Sequence, residues 1–403
     1  MFATPSRFAL LGATALSAAA LSACGGGGGD STPATPASTL GTLAVSMTDA
    51  PTCGFDAVNV TVSKVRVHRS EGAADSDSGW TDITLSPAKK INLLNLTNGV
   101  LEALGQTSLE AGRYTQLRLV LDSNASGSAN TVVPTVGKLE QPLETPSSVQ
   151  SGIKLVGQFD VTAGQKTDVV LDFDACKSVV TRGKGAYALK PVVKVVPVTL
   201  NGISGFVSTA VLGRSVQVSA QQNGQVVSAT TPNPTTGEFF LSRLAPGNYD
   251  VVITANDSAA SVVAGVPVAS ASSTTVLSTT TAPILLAPGN SGAIGGTVTL
   301  SPASTEAAYV SAKQSFAAGP TVTIKYQGAD LATGAYTIAN LPVAAPQFAT
   351  YSSTLPLVFS ASSAAPAGKY RVEAAATGYV TKSVDNVDIS AANQSNVNFA
   401  LTR

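Results

Sequence analysis

The feature that most constrains the fold is an internal repeat in the second half of the chain. Two ordered sets of segments match in spacing and residue type: residues 203–207 with 294–298, and 236–244 with 333–341. Two copies predict tandem homologous domains, because a solenoid needs about three or more repeats. We therefore expect one domain over residues 201–286 and a second, diverged copy over residues 291–403.

The second copy carries an insertion near residues 343–365, just before a Gly-x-Tyr element. Elements of this kind that begin a long predicted strand end at Tyr114, Tyr249 and Tyr370. The glycine suits a tight turn into a strand. The tyrosine that follows is expected to bury its ring and to need a partner for its hydroxyl. All three occurrences are consistent with variants of one sandwich.

Apolar and polar residues alternate along residues 40–200, which we expect to form the first domain. The alternating runs are 43–47, 58–62, 65–68, 80–85, 112–121 and 169–173. Alternation with short turns predicts antiparallel sheets that bury one face each. One short helix is expected over residues 93–104, with Asn98 capping its last two turns and Gly105 ending it.

The predicted fold class is therefore all-β, with tandem antiparallel β-sandwich domains of immunoglobulin or transthyretin-like type. Hydrophobic residues make up 44% of the chain, which is enough for sizeable cores, and charged residues only 12%. The 24 basic and 24 acidic residues cancel, which argues against a nucleic-acid partner. The single histidine, His68, cannot build a multi-histidine metal site. We expect no enzyme activity and no cofactor.

Residues 1–23 have the pattern of a secretory signal. One basic residue, Arg7, precedes the apolar run 8–20, which is too short to span a bilayer as a helix. The run ends in Leu21-Ser22-Ala23-Cys24, which resembles the lipobox of bacterial lipoproteins. The resemblance implies cleavage before Cys24 and acyl chains, palmitate among them, on that residue. The alternative is an unmodified cysteine beside an ordinary cleavage site.

Residues 24–39 predict a flexible tether, because five glycines and a Pro/Ala/Ser/Thr run cannot form a core. The lipid on Cys24 would attach the protein to a membrane. Resemblance to Gram-negative lipoprotein sorting implies the outer membrane, since Gly25 rather than Asp follows the cysteine. Both the periplasmic face and the cell surface remain open.

Cys53 and Cys176 are the other two cysteines. In an exported protein, two distant cysteines predict one disulfide bond, which in the chain-entropy model contributes roughly 4–5 kcal/mol. The alternatives are two free thiols, or a catalytic cysteine paired with His68.

Two family resemblances support the domain assignment. Residues 41–197 resemble a bacterial family known as domain of unknown function 4382, through segments 45–51, 58–65, 112–119, 171–179 and 189–191 together with Cys53. This family implies a secreted lipoprotein and no known activity. The domain over 201–286 is similar to the carboxypeptidase regulatory-like family, a transthyretin-like sandwich, through segments 205–207, 235–240 and 244–249. Such domains serve as spacers or adhesive modules.

Three groups of residues are candidates for chemistry. Asp172 and Asp174 lie two apart at a strand end and share one face, so they are weak candidates for a metal site; the alternative is a solvated strand end. Asp75 and Asp77 are expected in a solvated loop, because they lack calcium-loop spacing. Trp80 with His68 is a candidate sugar-stacking patch, although a core tryptophan and an exposed strand histidine are favoured.

Together these patterns predict a non-catalytic, lipid-anchored envelope protein that serves as a surface presentation or adhesive module. A carbohydrate-binding lipoprotein and an accessory envelope enzyme are the alternatives. The expected partners are the membrane, through Cys24, and a glycan or envelope protein. We expect a monomer whose domains form a rod.

Overall fold

The computed structural model describes residues 39–49, 54–145, 151–196, 201–316, 319–361 and 367–403. Over these ranges the chain is nearly all β, and its sheets pack as sandwiches, so the predicted fold class is confirmed. Cys24 and Cys53 lie outside the described residues. In the part of the chain that is described, no helix is long and apolar enough to cross a membrane.

The first sandwich spans residues 40–196. Its strands are β1 (Leu40–Asp49), β2 (Phe55–His68), β3 (Thr81–Asn92), β4 (Glu102–Glu110), β5 (Gly112–Leu121), β6 (Thr131–Pro134), β7 (Gln141–Glu144), β8 (Ile153–Val161), β9 (Lys166–Phe173), β10 (Val179–Thr181), β11 (Tyr187–Leu189) and β12 (Val193–Val196). One sheet has the order β12-β9-β1-β4, and the other has the order β10-β11-β7-β6-β2-β5-β8 with β3 also paired to β2.

The core of the first sandwich follows the alternation seen in the sequence. Leu43, Val45 and Met47 of β1 are buried, while the residues between them are partly exposed. The two predicted runs 58–62 and 65–68 form one continuous strand, β2, with a register shift between Val62 and Lys64. Most strand pairs are antiparallel, but β1 pairs with β9 in parallel.

The predicted helix over residues 93–104 is wrong except for its first turn. Leu93–Leu96 form a 3-10 turn capped by Asn92, and residues from Glu102 onward belong to β4. Leu93 and Leu96 are buried, so their spacing was a correct signal for one turn. The turn ends at Leu96, because Thr97 is already extended, and Asn98 after it has a left-handed φ of 58°. A one-turn helix, α1, follows β9 at Ala175–Ser178, and 3-10 turns lie at Asn124–Ser126 and Thr209–Arg214.

The second and third sandwiches repeat one architecture. The second has β13 (Gly202–Phe206), β14 (Gln217–Gln222), β15 (Gln225–Thr230), β16 (Glu238–Ser242), β17 (Gly247–Thr254), β18 (Ser261–Val268) and β19 (Thr274–Val276). The third has β20 (Ser291–Ser301), β21 (Ala308–Ser315), β22 (Thr321–Gly328), β23 (Ala335–Pro342), β26 (Lys369–Ala376), β27 (Lys382–Asp388) and β28 (Phe399–Thr402), and its insertion contributes β24 (Gln347–Thr350) and β25 (Ser360–Ala361).

The repeated glycines have equivalent places in the two copies. Gly237 and Gly334 both adopt a left-handed φ, of 73° and 72°, directly before the strand that pairs with the first strand of its sandwich, β16 with β13 and β23 with β20. A Cβ on either would lie 2.1 or 2.2 Å from the carbonyl oxygen of Val207 or Val298, so no larger residue fits. The matching sequence segments therefore reflect matching backbone geometry.

The insertion of the third sandwich belongs structurally to the second. Its strand β24 pairs in parallel with β18, placing Gln347 beside Ser261 and Thr350 beside Ala264. This extends one sheet of the second sandwich to β15-β14-β17-β18-β24-β25, opposite a smaller sheet of order β16-β13-β19. The two sandwiches are therefore joined by a continuous sheet as well as by the chain between them.

The central strands of the six-stranded sheet, β17 and β18, are buried on both faces. Val251 and Ile253 of β17 belong to the core of the second sandwich, whereas Val252 between them packs into the core of the third. Val262 of β18 and Phe348 of β24 also pack into the third core. Burial on both faces explains the unbroken apolar runs of these strands, because a strand with one solvated face alternates.

Candidate functional site

Asp172 and Asp174 lie where the first sandwich meets the other two. Asp172 belongs to β9, beside Lys194 of β12, and Asp174 caps helix α1. The surrounding residues come from β15 of the second sandwich and from Tyr326 on β22 of the third. We call this group the junction; its charged and aromatic members are Asp172, Asp174, Lys177, Lys194, Arg243, Tyr309 and Tyr326.

Asp174 is fully engaged by its own helix. Its Oδ1 accepts from the backbone N–H of Lys177 at 3.0 Å, and its Oδ2 lies 3.2 Å from the Nζ of Lys177. A carboxylate at this cap satisfies a helix N–H that has no partner within the helix. Asp174 therefore stabilises the turn that follows β9.

Asp172 is electrostatically strained. Burial, and after it the nearby charge of Asp174, raise the pKa of its carboxyl from 3.8 to about 6, against the opposing effect of Lys194, Arg243 and Lys177. Arg243 is itself buried, and this burial lowers the pKa of its guanidinium, while Asp172 opposes that shift. Asp172 and Arg243, contributed by different sandwiches, thus carry opposite charges that influence each other at the junction.

The junction does not have the composition of a metal site. In the described ranges, no group of three or more His, Cys, Asp or Glu side chains is close enough to hold a metal ion. The positive charges of Lys177, Lys194 and Arg243 already face the two carboxylates. The geometry therefore favours ion pairing over cation binding at Asp172 and Asp174.

Tyr309 and Tyr326 connect the third sandwich to the junction. The Tyr309 hydroxyl donates to the backbone carbonyl of Lys177, whose ammonium lies 5.4 Å from the centre of the Tyr326 ring. Burial raises the pKa of both phenols, so both stay protonated. Further along, the N–H of Gly183 donates to Asp330 Oδ2 at 2.7 Å.

Asn98 connects the first sandwich to the second. Its Nδ2 donates to the Thr231 carbonyl at 2.8 Å, and its Oδ1 accepts from the Thr230 hydroxyl at 2.8 Å and from the Phe240 N–H at 3.1 Å. Its own N–H donates to Thr230 Oγ1 at 3.0 Å. Asn98 is thus an interdomain contact, not the predicted helix cap.

The rod that the sequence led us to expect is not what the structure shows. In a rod the first sandwich would contact only the second. Here it contacts the second through Asn98 and the third through Lys177 and Gly183. Each sandwich therefore contacts both others.

Trp80 and His68 are brought together, with ring centres 5.1 Å apart. Trp80 is only partly buried and belongs to none of the apolar clusters of the described residues, so the favoured core position is wrong. Its Nε1 donates to Ala74 O at 2.9 Å. The guanidinium carbons of Arg66 and Arg118 lie 4.7 and 4.9 Å from the ring centre, in cation–π contact.

His68 closes the loop that precedes Trp80. Its Nδ1 accepts from the N–H of Ser70 at 2.9 Å, so the proton is on Nε2, which lies 3.1 Å from the carbonyl oxygen of Ser78. His68 is partly buried, not an exposed strand residue as favoured. In the same loop, Asp75 pairs with Arg118, and Asp77 accepts from the N–H of Ala74 at 2.9 Å. These side chains hold the loop, in which Asp75 and Asp77 are both exposed, as the sequence predicts.

Cys176 is a buried residue of helix α1. Its expected disulfide with Cys53 and the lipidation of Cys24 stay predictions, because Cys53 and Cys24 lie outside the described residues.

Sequence reasoning missed Arg243, Tyr309 and Tyr326, and it gave Asn98 a helix-capping role in place of its interdomain contacts. One signal was present: Arg243 aligns with Asn340 of the second repeat copy, and both have a left-handed φ, of 58° and 53°.

Comparison with known proteins defines the first sandwich as a recognised domain. Residues 40–191 match the family described as domain of unknown function DUF4382, as the sequence resemblance implied. The remaining all-β part of the chain lies outside this match. No curated protein matches the sequence.

Solved structures of pilins show weak similarity. The major pilin SpaA of Corynebacterium diphtheriae is 14% identical, over 90% of this chain and 100% of that chain, with a TM-score of 0.20. A streptococcal ancillary pilin is 11% identical, over 89% and 98%, with a TM-score of 0.16. The major pilin BcpA of Bacillus cereus is 14% identical, over 90% and 99%, also with a TM-score of 0.16. Scores this low carry no argument about function.

Proposed function

We propose that this chain is a non-catalytic, lipid-anchored protein of the bacterial cell envelope that presents a rigid binding body on a flexible tether. The observation that carries the proposal is the mutual contact of all three sandwiches, through Asn98, Lys177 and the β18–β24 strand pair. Because the three sandwiches contact one another, their outer surfaces keep a fixed arrangement, while the tether lets the whole body move. That combination suits capture of a partner near a membrane.

The anchor is supported by the sequence that precedes the body. The lipobox-like run ends at Cys24, and the glycine-rich tether follows at once. The carboxypeptidase regulatory-like character of the second and third sandwiches is supported by their repeated motifs, which take equivalent turn and strand positions. Such modules serve as spacers or adhesive elements in the family that they resemble.

A non-catalytic role is supported by how the candidate groups are used. Asp174 caps a helix, His68 closes a loop, and Asp172 faces three cations at an interface. Each of these groups has a structural partner where a catalytic group would need access to substrate.

Metabolic labelling tests the anchor. The full-length chain, expressed in a Gram-negative host with an alkyne-bearing palmitate, should be labelled and recovered with outer-membrane vesicles. Cys24→Ser should lose both the label and the membrane association. Cys176→Ser is the matched control and should keep both. Equal labelling of the wild type and Cys24→Ser would contradict the anchor, and protease treatment of whole cells would assign the membrane face.

Glycan binding is the second candidate, because Trp80 is partly exposed beside His68. The guanidinium groups over the ring reduce the area available for a sugar. A screen of the protein against bacterial and plant polysaccharides, with and without calcium, tests it. A saturable hit that is lost in Trp80→Ala would support glycan binding, and a hit that survives this change would place the site elsewhere.

A further inference from the structure

The second sandwich has sheets of unequal width. Its larger sheet contains six strands and its smaller sheet three. Strand β19, at the edge of the smaller sheet, packs against β18. Strands β24 and β25, which the insertion adds beyond β18, therefore extend past the smaller sheet. Their inward face is left without an opposing strand among the described residues.

A cleft of about 810 Å³ lies at this overhang. One wall is the segment 277–288, which continues from β19, and the other is the insertion segment 356–359 with Gln347 of β24. Leu357 and Phe359 also pack against the core of the second sandwich, so the wall that they form is anchored. The volume is within the range of about 300–1,000 Å³ that small-molecule sites occupy.

The lining of the cleft is apolar and uncharged. Aliphatic and proline residues dominate it, including Ile284, Leu285, Leu286 and Leu357, and none of its residues is acidic, basic or histidine. Leu285 is 68% exposed although it is a large apolar residue. Val358, next to the lining residue Leu357, is 85% exposed. Exposed large apolar side chains at a concave site are found at ligand-binding grooves, among other interaction sites.

We propose that this cleft binds a single acyl chain of an uncharged amphiphile. An acyl chain needs apolar walls and no hydrogen-bond partners, which matches aliphatic side chains on two sides. An ionised ligand is disfavoured, because no lining residue supplies a countercharge and burying an unpaired charge is costly. A narrow concave cleft of this volume fits a small molecule better than the broad surface of a protein partner, since stable protein interfaces bury about 800 Å² per partner.

The test uses the full-length protein with Cys24→Ser, so that a lipid on that residue cannot occupy the cleft. The neutral apolar probe 1,6-diphenylhexatriene should bind saturably, and monopalmitoylglycerol should displace it. Leu285→Lys should weaken probe binding at least tenfold, because it places an ammonium in the apolar wall. Val136→Lys is the matched control: Val136 is 90% exposed in the first sandwich, and its change should leave binding unaltered.

A second variant separates occupancy of the cleft from the effect of charge. Ala287 lines the cleft and is exposed, so Ala287→Trp should fill part of the volume and weaken probe binding without adding charge. Equal binding by the wild type, Leu285→Lys and Ala287→Trp would overturn the proposal, as would the absence of saturable binding to the wild type. A self-association seen by sedimentation and lost in Leu285→Lys would identify a second copy as the occupant and overturn it too.

Discussion

The Tyr370 hydroxyl donates a hydrogen bond to the carbonyl oxygen of Pro342, although 28 positions of sequence separate the two residues. In the second sandwich the equivalent bond, from Tyr249 to Ala245 at 2.7 Å, spans four positions. Tyr114 makes the same four-position bond to Glu110 at 3.1 Å in the first sandwich. The insertion has therefore lengthened the chain between the partners without removing the bond, and its two ends stay close together.

Tyr370→Phe should destabilise the protein by about 1–3 kcal/mol, because the buried carbonyl of Pro342 loses its donor. It should also speed amide hydrogen exchange in β24, since the insertion is released at its base. Tyr249→Phe, measured by the same urea unfolding and exchange experiments, should cost a similar amount and leave exchange in β24 slow. Identical exchange patterns in the two variants would contradict this role of Tyr370.

Asn98→Ala should destabilise the docking of the first sandwich on the second by about 2–4 kcal/mol. Three side-chain hydrogen bonds are lost, and alanine is strained at a left-handed φ. Asn98→Gly loses the same bonds without strain. The difference in the free energy of unfolding between the two variants therefore measures the cost of backbone strain in Asn98→Ala. A stability of Asn98→Gly equal to that of the wild type would show that the side-chain bonds contribute nothing.

Gln221→Met should cost about 2–5 kcal/mol at the contact between the second and third sandwiches. Gln221 is fully buried; its Nε2 donates to the Thr323 carbonyl at 2.7 Å and its Oε1 accepts from the Thr323 N–H at 2.8 Å. Methionine fills the space but leaves both groups of Thr323 without a partner. Gln222→Met, next to it, breaks only an exposed bond and should change urea stability by less than about 0.5 kcal/mol.

Asp172→Asn should stabilise the protein near neutral pH and have little effect near pH 4. A carboxyl with a pKa of about 6 in the folded protein and 3.8 in the open chain binds its proton more tightly when folded. Its contribution to stability is therefore present at low pH and is lost as pH rises through about 6. The pKa difference corresponds to at most about 3 kcal/mol.

The matched control for this prediction is Asp168→Asn on the same strand. The Asp168 side chain is 39% exposed and lies 2.6 Å from Lys166, so its change should leave the pH profile of stability nearly unaltered. The measurement is urea unfolding of each variant between about pH 4 and pH 8. If the free energy of unfolding of the wild type and of Asp172→Asn changed with pH in the same way, the raised pKa of Asp172 would be contradicted.

Strands such as β1 could be predicted from the sequence because they bury one face, and burial of one face imposes alternation. Residues 43–47 and 112–121 fall within β1 and β5, as their patterns predict. The predicted helix over 93–104 is wrong because leucines at helical spacing form only one 3-10 turn, after which Thr97 is already extended. The unbroken run 251–253 was the missed signal of a sheet covered on both sides.

The junction could not be predicted, because its residues come from three sandwiches and are far apart in sequence. Asp172 and Asp174 lie close together, but two of the three cations near Asp172 are Lys194 on β12 and Arg243 of the second sandwich. Nothing local to residues 172–174 indicates those neighbours. The pairing of β24 with β18 could not be predicted for the same reason, because the residue pattern of a strand does not indicate which strand it pairs with.

Strand β24 finds its place on β18, which precedes it in the chain. A ribosome that makes the chain from its N-terminus therefore delivers the receiving edge before the strand that covers it. If either sandwich were exchanged or duplicated without the other, the edge of β18 would have no strand beside it and β24 would have no sheet to join. The second and third sandwiches therefore form one structural unit, and a gene break between residues 286 and 291 would divide it.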